Sequence, residues 1–278
     1  SALQNQRNAL EADARCISGN MEKKHLEGLL PASMLKTLLR QYKVNNVWRG
    51  LDAYAQRNHG VSILHTAIDG FTDYCSRTEP YVAMFHLHDL FERFDRVREE
   101  HNAYRLEADG ASYVCAVGAT TGQVYRDNVD PASDCRALVP GDEVSSGSSD
   151  PHAGGHRSSP GAAYTANAID ALGFAEAVMQ IAHSKFTQAY PQLDLSLRMG
   201  LHAGSCMGGI VGVKHLKYVL SGSPVEIARE LMQTGVRGTI HASETVVKLT
   251  AGLPWEERER LGQEGSSMQQ VKTFCLWL

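Results

Sequence analysis

No stretch of this chain is apolar for long enough to cross a bilayer as a helix, and its first residues do not read as a secretory leader. The expectation is a cytoplasmic domain, whether or not its parent protein is attached to a membrane. A surplus of positive charge is also missing. Lys and Arg number 27 against 31 Asp and Glu, for a net charge of −4. A sequence-independent nucleic-acid binder is normally basic, so nucleic acid is not an expected partner. The six cysteines (Cys16, Cys75, Cys115, Cys135, Cys206, Cys275) include no CxxC pair. Several stand in apolar, strand-like runs, so they read as reduced core thiols and not as a disulfide framework or a zinc site. No internal repeat is visible. What remains is an ordinary globular composition, 43% hydrophobic and 21% charged, over 278 residues. That length holds one large domain or two small ones. The start at Ser1 and not at Met makes a piece of a longer chain the expectation.

The pattern turns on VSILHTAIDGFTDY, residues 61–74. Val61, Ile63, Leu64 and Ile68 suit a buried strand. Gly70 then breaks it and Thr72 suits a helix start, a strand–turn–helix junction of the kind that hosts phosphate and metal chemistry. Upstream, residues 1–27 read as a connecting helix or equally as a frayed terminus, and LLPASMLKTLL from Leu29 as a short helix with Pro31 in its first turn. Downstream, residues 81–100 show helical periodicity through Val82, Phe85, Leu87, Leu90, Phe91, Phe94 and Val97. Two alternating runs around Asp109-Gly110 predict a hairpin. Residues 119–162, rich in Gly, Ser, Pro and Asp, read as a flexible surface insertion. His152 and His156 are spaced like metal ligands there, but so flexible a tract does not favour binding. A helix over 164–186, strands over 195–204 and 216–222, a helix over 224–233, a strand over 238–242, a helix capped by Ser243 and a closing strand follow.

Five of these runs, in order, resemble the class III nucleotidyl cyclase catalytic domain, in its guanylate-cyclase-like form. VSILHTAIDGFTDY is similar to the family's F-x-D-I-x-G-F-T turn, and RLEADGASYVCAVG to its K-V-E-T-I-G-D-A-Y hairpin. LRMGLHAGSCMGGIVG is similar to R-I-G-I-H-T-G-x-x-x-G-x-V-G. KYVLSGSPVEIARELMQTGVRGTIHAS and VKTFCLWL resemble the later helix–strand segment and the final strand. The resemblance implies an α/β (α+β) fold with a ferredoxin-like βαββαβ core and an N-terminal helical extension. It divides the chain into a connecting helix and lead-in segment over 1–41 and a cyclase homology domain over 42–278. It also implies another cyclase-type domain as partner, in a homo- or heterodimer, with GTP or ATP bound between the two. In such a site two Mg²⁺ ions held by carboxylates activate the 3′ hydroxyl, and an Asn and an Arg stabilise the transition state.

Carried over position by position, the metal carboxylates fall at Ala67 and Ala111, which cannot ligate a cation. The Asn position holds Glu226 and the Arg position Glu230, negative charge where triphosphate charge must be neutralised. The phosphate-binding Lys falls within 266–268, where there is none. The purine-reading position keeps Glu107, and its partner position holds Val219. Asp69 and Asp109 each stand two residues from the expected aspartates, on the same strand face, and are candidates for a displaced metal pair. Their other reading is as turn residues, Asp109-Gly110 above all. Arg229 is turned about 100° from Glu230 on a helix and reads as solvated or paired with Glu226. His202 reads as a packed histidine and Cys206 as a small core residue. The expected function is a catalytically inactive homology domain serving as dimerisation partner, scaffold or regulatory subunit in cyclic-nucleotide signalling. No cofactor is expected with it. The alternative is an active guanylate or adenylate cyclase, a phosphorus–oxygen lyase that would use Mg²⁺ or Mn²⁺.

Overall fold

The computed structural model describes residues 55–119, 160–188, 194–211, 217–261 and 271–277. The connecting segment, most of the 119–162 insertion and the 266–268 Lys position lie outside them. The chain divides into two compact units. The larger comprises 56–119, 123–207 and 220–278, and the smaller 1–55, 120–122 and 208–219.

The described elements run β1 (Ala55–Asp69), α1 (Phe71–Arg77), α2 (Pro80–Arg98), β2 (Ala103–Asp109), β3 (Ser112–Val117), α3 (Pro160–Gln188), β4 (Ser196–Val211), β5 (Lys217–Ser221), α4 (Ser223–Thr234), β6 (Thr239–Ser243), α5 (Glu244–Leu249), β7 (Glu256–Leu261) and β8 (Val271–Trp277). The strands form one sheet in the order β2-β3-β1-β4-β6-β8-β7, with β5 paired to β4. The β2-β3-β1-β4 half has the strand order that a βαββαβ unit produces, as expected. β1 and β3 are antiparallel, with Ser62 opposite Val117 and Ala67 opposite Ser112. β4 and β6 are parallel.

Strand alternation sorts the side chains to two faces. On one, Leu64, Ile68, Tyr113, Cys115, Leu197, Met199, Leu201 and Ile240 join Leu87, Leu90 and Phe94 of α2 and Phe174, Ala175 and Val178 of α3 in a single core. The α2 register differs from the sequence reading. Ala83, Leu87, Leu90 and Phe94 are buried, whereas Phe85 is 55% exposed, beside exposed Tyr81 and Met84. Residues 83, 87, 90 and 94 stay within one stripe at 100° per residue, and Phe85 points away from it.

The other sheet face carries α4. Its buried positions, Pro224, Ala228, Leu231 and Met232, recur at helical spacing and lie against the sheet. A Cβ on Gly200 of β4 would stand 2.1 Å from Ala228 O and 2.3 Å from Met232 N, so helix backbone rests directly on strand backbone.

Three local readings are revised. The start of α1 is formed by Gly70, not Thr72, with φ 82° and no side-chain cap. A Cβ there would also stand 2.5 Å from Asp194 O. Ser243 precedes α5 without capping it through its side chain. Its Oγ lies 2.7 Å from His202 Nδ1 instead. β4 runs on through the glycine-rich segment to Val211, where a strand ending at Gly204 was expected.

Candidate functional site

The end of the β1–β3 pair brings together the two positions singled out as metal-ligand sites. Ala67 is directly opposite Ser112, and Ile68 N–H donates to Ala111 O at 2.9 Å. The two alanines are therefore backbone neighbours beside the Asp109-Gly110 turn, both half-buried. Two residues before Ala67 and on the same face stands His65. Ser112 Oγ–H donates to Thr66 O at 3.3 Å, so the 2.8 Å contact to His65 Nε2 has the ring as donor. Burial holds His65 down at about 4, assisted by the positive charge of Arg229 and opposed by the negative charge of Glu107. At neutral pH it is an uncharged imidazole that joins β1 to β3.

Asp69 is occupied. Its Oδ1 accepts from Arg198 Nη2 at 2.8 Å, and its Oδ2 pairs with Arg237 Nε at 2.7 Å. Arg198 also donates to Gln233 O at the end of α4, and Arg237 reaches Asp194 and Ser196. Asp69 thus ties the end of β1 to β4 and to the turn before β6. Asp109 is exposed beside Gly110, whose φ of 53° makes the hairpin turn. Asp69→Asn is expected to lower stability by about 1–2 kcal/mol, because two guanidiniums lose a partly buried partner. Divalent-cation binding, followed by calorimetry with Mn²⁺, is expected to be the same in variant and parent. A cation affinity that the substitution abolishes would assign Asp69 to a metal instead.

Glu226 and Glu230 lie one turn apart on α4, Glu226 exposed and Glu230 partly so. Arg229 Nη1 is 3.5 Å from Glu226 Oε2, with both side chains about half exposed. That is the pairing foreseen for it, in a setting where ion pairs are worth about 1 kcal/mol or less. Glu107 is exposed on β2, the edge strand, opposite Val114, which in turn lies opposite His65. Val219 is on β5, in the smaller unit, and is 36% exposed. His202 is buried, with burial lowering its pKa to about 4, and burial raises the Cys206 thiol to about 12. Both are core groups, as expected.

The pair of divalent cations implied by the resemblance does not fit the residues present. The two ligand positions carry methyl groups, and the nearest carboxylate along β1 is taken by two arginines. Among the described residues no group of three or more His, Cys, Asp and Glu could hold a metal ion. Residue-by-residue reasoning missed His65, Ser112, Arg198 and Arg237. The available signal was periodicity: His65, Ala67 and Asp69 share a face, as do Arg198, Gly200 and His202.

The sequence and the fold have relatives. Rat guanylyl cyclase C is 26% identical over 189 residues, which is 68% of this chain but only 14% of that protein. The guanylate cyclase domain of RhGC from Catenaria anguillulae, solved with GTP, superposes with a TM-score of 0.58 at 19% identity, over 79% of this chain and 97% of that one. A dimeric guanylyl cyclase domain of the RhoGC fusion protein from Blastocladiella emersonii gives 0.55 at 19% identity, over 80% and 96%. No helix among the described residues is long and apolar enough to cross a membrane. The model of the adenylate and guanylate cyclase catalytic domain matches residues 53–277, from before β1 to the last residue of β8, and the chain belongs to that family.

Proposed function

We propose that this domain keeps the cyclase fold without the cyclase reaction and acts as a dimerisation partner, scaffold or regulatory half in cyclic-nucleotide signalling. The observation that carries this reading is the pair of neighbouring alanines, Ala67 and Ala111, at the end of the β1–β3 pair. Phosphoryl chemistry needs charge held at fixed points, chiefly cations against the phosphate oxygens. Methyl groups hold none. Glu226 and Glu230 extend the loss to the opposite half-site, where they put negative charge beside a polyanion. Glu107 still carries an acceptor at the purine-reading position, while Val219 at its partner position offers none. The reading includes no metal cofactor. It places the partner as another cyclase-type domain, the same chain or a different one.

The purified chain, incubated with Mn²⁺ and either GTP or ATP, is expected to form no 3′,5′-cyclic nucleotide above a blank. Turnover that disappears on Asp69→Ala or Asp109→Ala would sink this reading and establish the active alternative with displaced ligands.

A further inference from the structure

We infer that the outer face of α4 makes this chain an inhibitory partner: paired with a cyclase domain that has its own metal carboxylates, it switches the shared site off by charge. The inference rests on the dimerisation-partner reading above and concerns what that partner does.

A helix can repel a ligand only if it cannot move aside. α4 is held on the sheet at both ends and in the middle. Ala228 O and Met232 N rest on Gly200 with no room for even a methyl group. Gln233 O at the C-terminal end accepts from Arg198, which is itself held by Asp69. Pro224 at the other end is buried. The i, i+4 spacing places Glu226 and Glu230 on one outer stripe of this clamped helix. Among the described residues Glu226 pairs only with Arg229, at 3.5 Å and half exposed, and Glu230 makes no ion pair. One guanidinium against two carboxylates leaves the stripe negative.

In a homodimer of this chain the stripe has no reaction to stop, since neither copy holds metal-binding carboxylates at 67 and 111. Its charge matters only against a partner that brings carboxylates, cations and nucleotide. There a triphosphate meets two negative charges carried on a fixed helix where it needs positive ones, and is bound less well. Such a partner is a catalytically complete cyclase domain, and this chain competes with that domain's own second copy.

The test mixes the full chain with an active guanylyl cyclase domain, that of Catenaria anguillulae RhGC, and follows mixed dimers by native mass spectrometry. With random pairing at about tenfold excess of this chain, only about one-tenth of the active domain stays in its own dimers, and cyclic GMP production falls to about that fraction. E226N/E230R is expected to raise activity at the same excess at least about threefold over the unaltered mixture. E226Q/E230Q, which removes the charge alone, is expected to tighten binding of non-cyclisable 3′-deoxy-GTP with Mn²⁺ to the mixed dimer by about tenfold. These positions are exposed or half-exposed, and equal thermal unfolding of all forms shows that the fold is kept. A mixed dimer with undiminished activity, or one in which both variants behave as the parent, overturns the inference and leaves the partner reading standing. No mixed dimer at all overturns the inference, and if the chain also forms no dimer of its own the partner reading falls with it.

Discussion

Replacing Gly200 by alanine is expected to lower the stability of this domain by about 3 kcal/mol or more, at the upper end for an overpacked core. The new methyl would fall 2.1 Å from Ala228 O, 2.3 Å from Met232 N and 3.0 Å from Leu231 C. All three are helix backbone, so no rotamer change relieves the contact. α4 must lift from β4, and buried Leu231 and Met232 and the bond between His241 Nδ1 and Leu231 O lift with it. The same substitution at Gly161, in the first turn of α3 with nothing within 4 Å of its added methyl, is expected to be neutral or stabilising by up to about 1 kcal/mol. Urea unfolding of the two variants separates them by sign. Amide exchange on the Gly200 variant is expected to speed up in α4 before α3. Equal stabilities would mean that α4 does not sit where it is placed.

The second large effect is acid sensitivity. His65, His202 and His241 stand on β1, β4 and β6 and are all buried. Burial lowers His65 and His202 to about 4 and lowers His241 as well. In the unfolded chain each titrates near 6.5. Above pH 6.5 both states are neutral and the full stability is present. Between 6.5 and 4 the unfolded chain takes up protons that the folded one refuses, and stability falls. Below 4 the folded histidines also protonate and this contribution levels off. The loss is about 3 kcal/mol for each of His65 and His202, enough to remove much of a domain's stability of about 5–15 kcal/mol. Urea midpoints at pH 7 and pH 4.5 measure it. His202→Gln, which keeps a partner for Ser243, is expected to reduce the drop by about 2–3 kcal/mol. An unchanged drop would show that His202 already carries a proton in the fold.

Much of the architecture was legible because its signals are local. β1, the Asp109-Gly110 hairpin, α3, α4 and β6 follow from alternation, helical spacing and turn residues within a few positions of one another. The errors occur where a local signal has two uses. Phe85 has the size of a core residue but the wrong angle on α2. Ser243 has the chemistry of a cap, yet the nearest demand on its hydroxyl comes from His202, 41 residues earlier in the chain. β7 had no signal to find, since a charged edge strand, EERERL, looks like a loop in isolation.

The candidate site divides in the same way. The sequence by itself determined what is missing: alanine at 67 and 111 and glutamate at 226 and 230 are facts of residue identity, and a methyl group ligates nothing in any fold. It also determined the family, through runs whose order and spacing survive in one dimension. Only the tertiary structure decided what the remaining charges do. Asp69 read as a turn residue, with a displaced cation ligand as the lesser candidate, until Arg198 and Arg237, more than a hundred residues downstream, proved to hold both its oxygens. Where the helix that carries Glu226 and Glu230 is held depends on Gly200, which lets α4 rest on β4 without a gap. Ion pairing and burial depend on distance in space, which residues far apart in the chain acquire only when the sheet has formed.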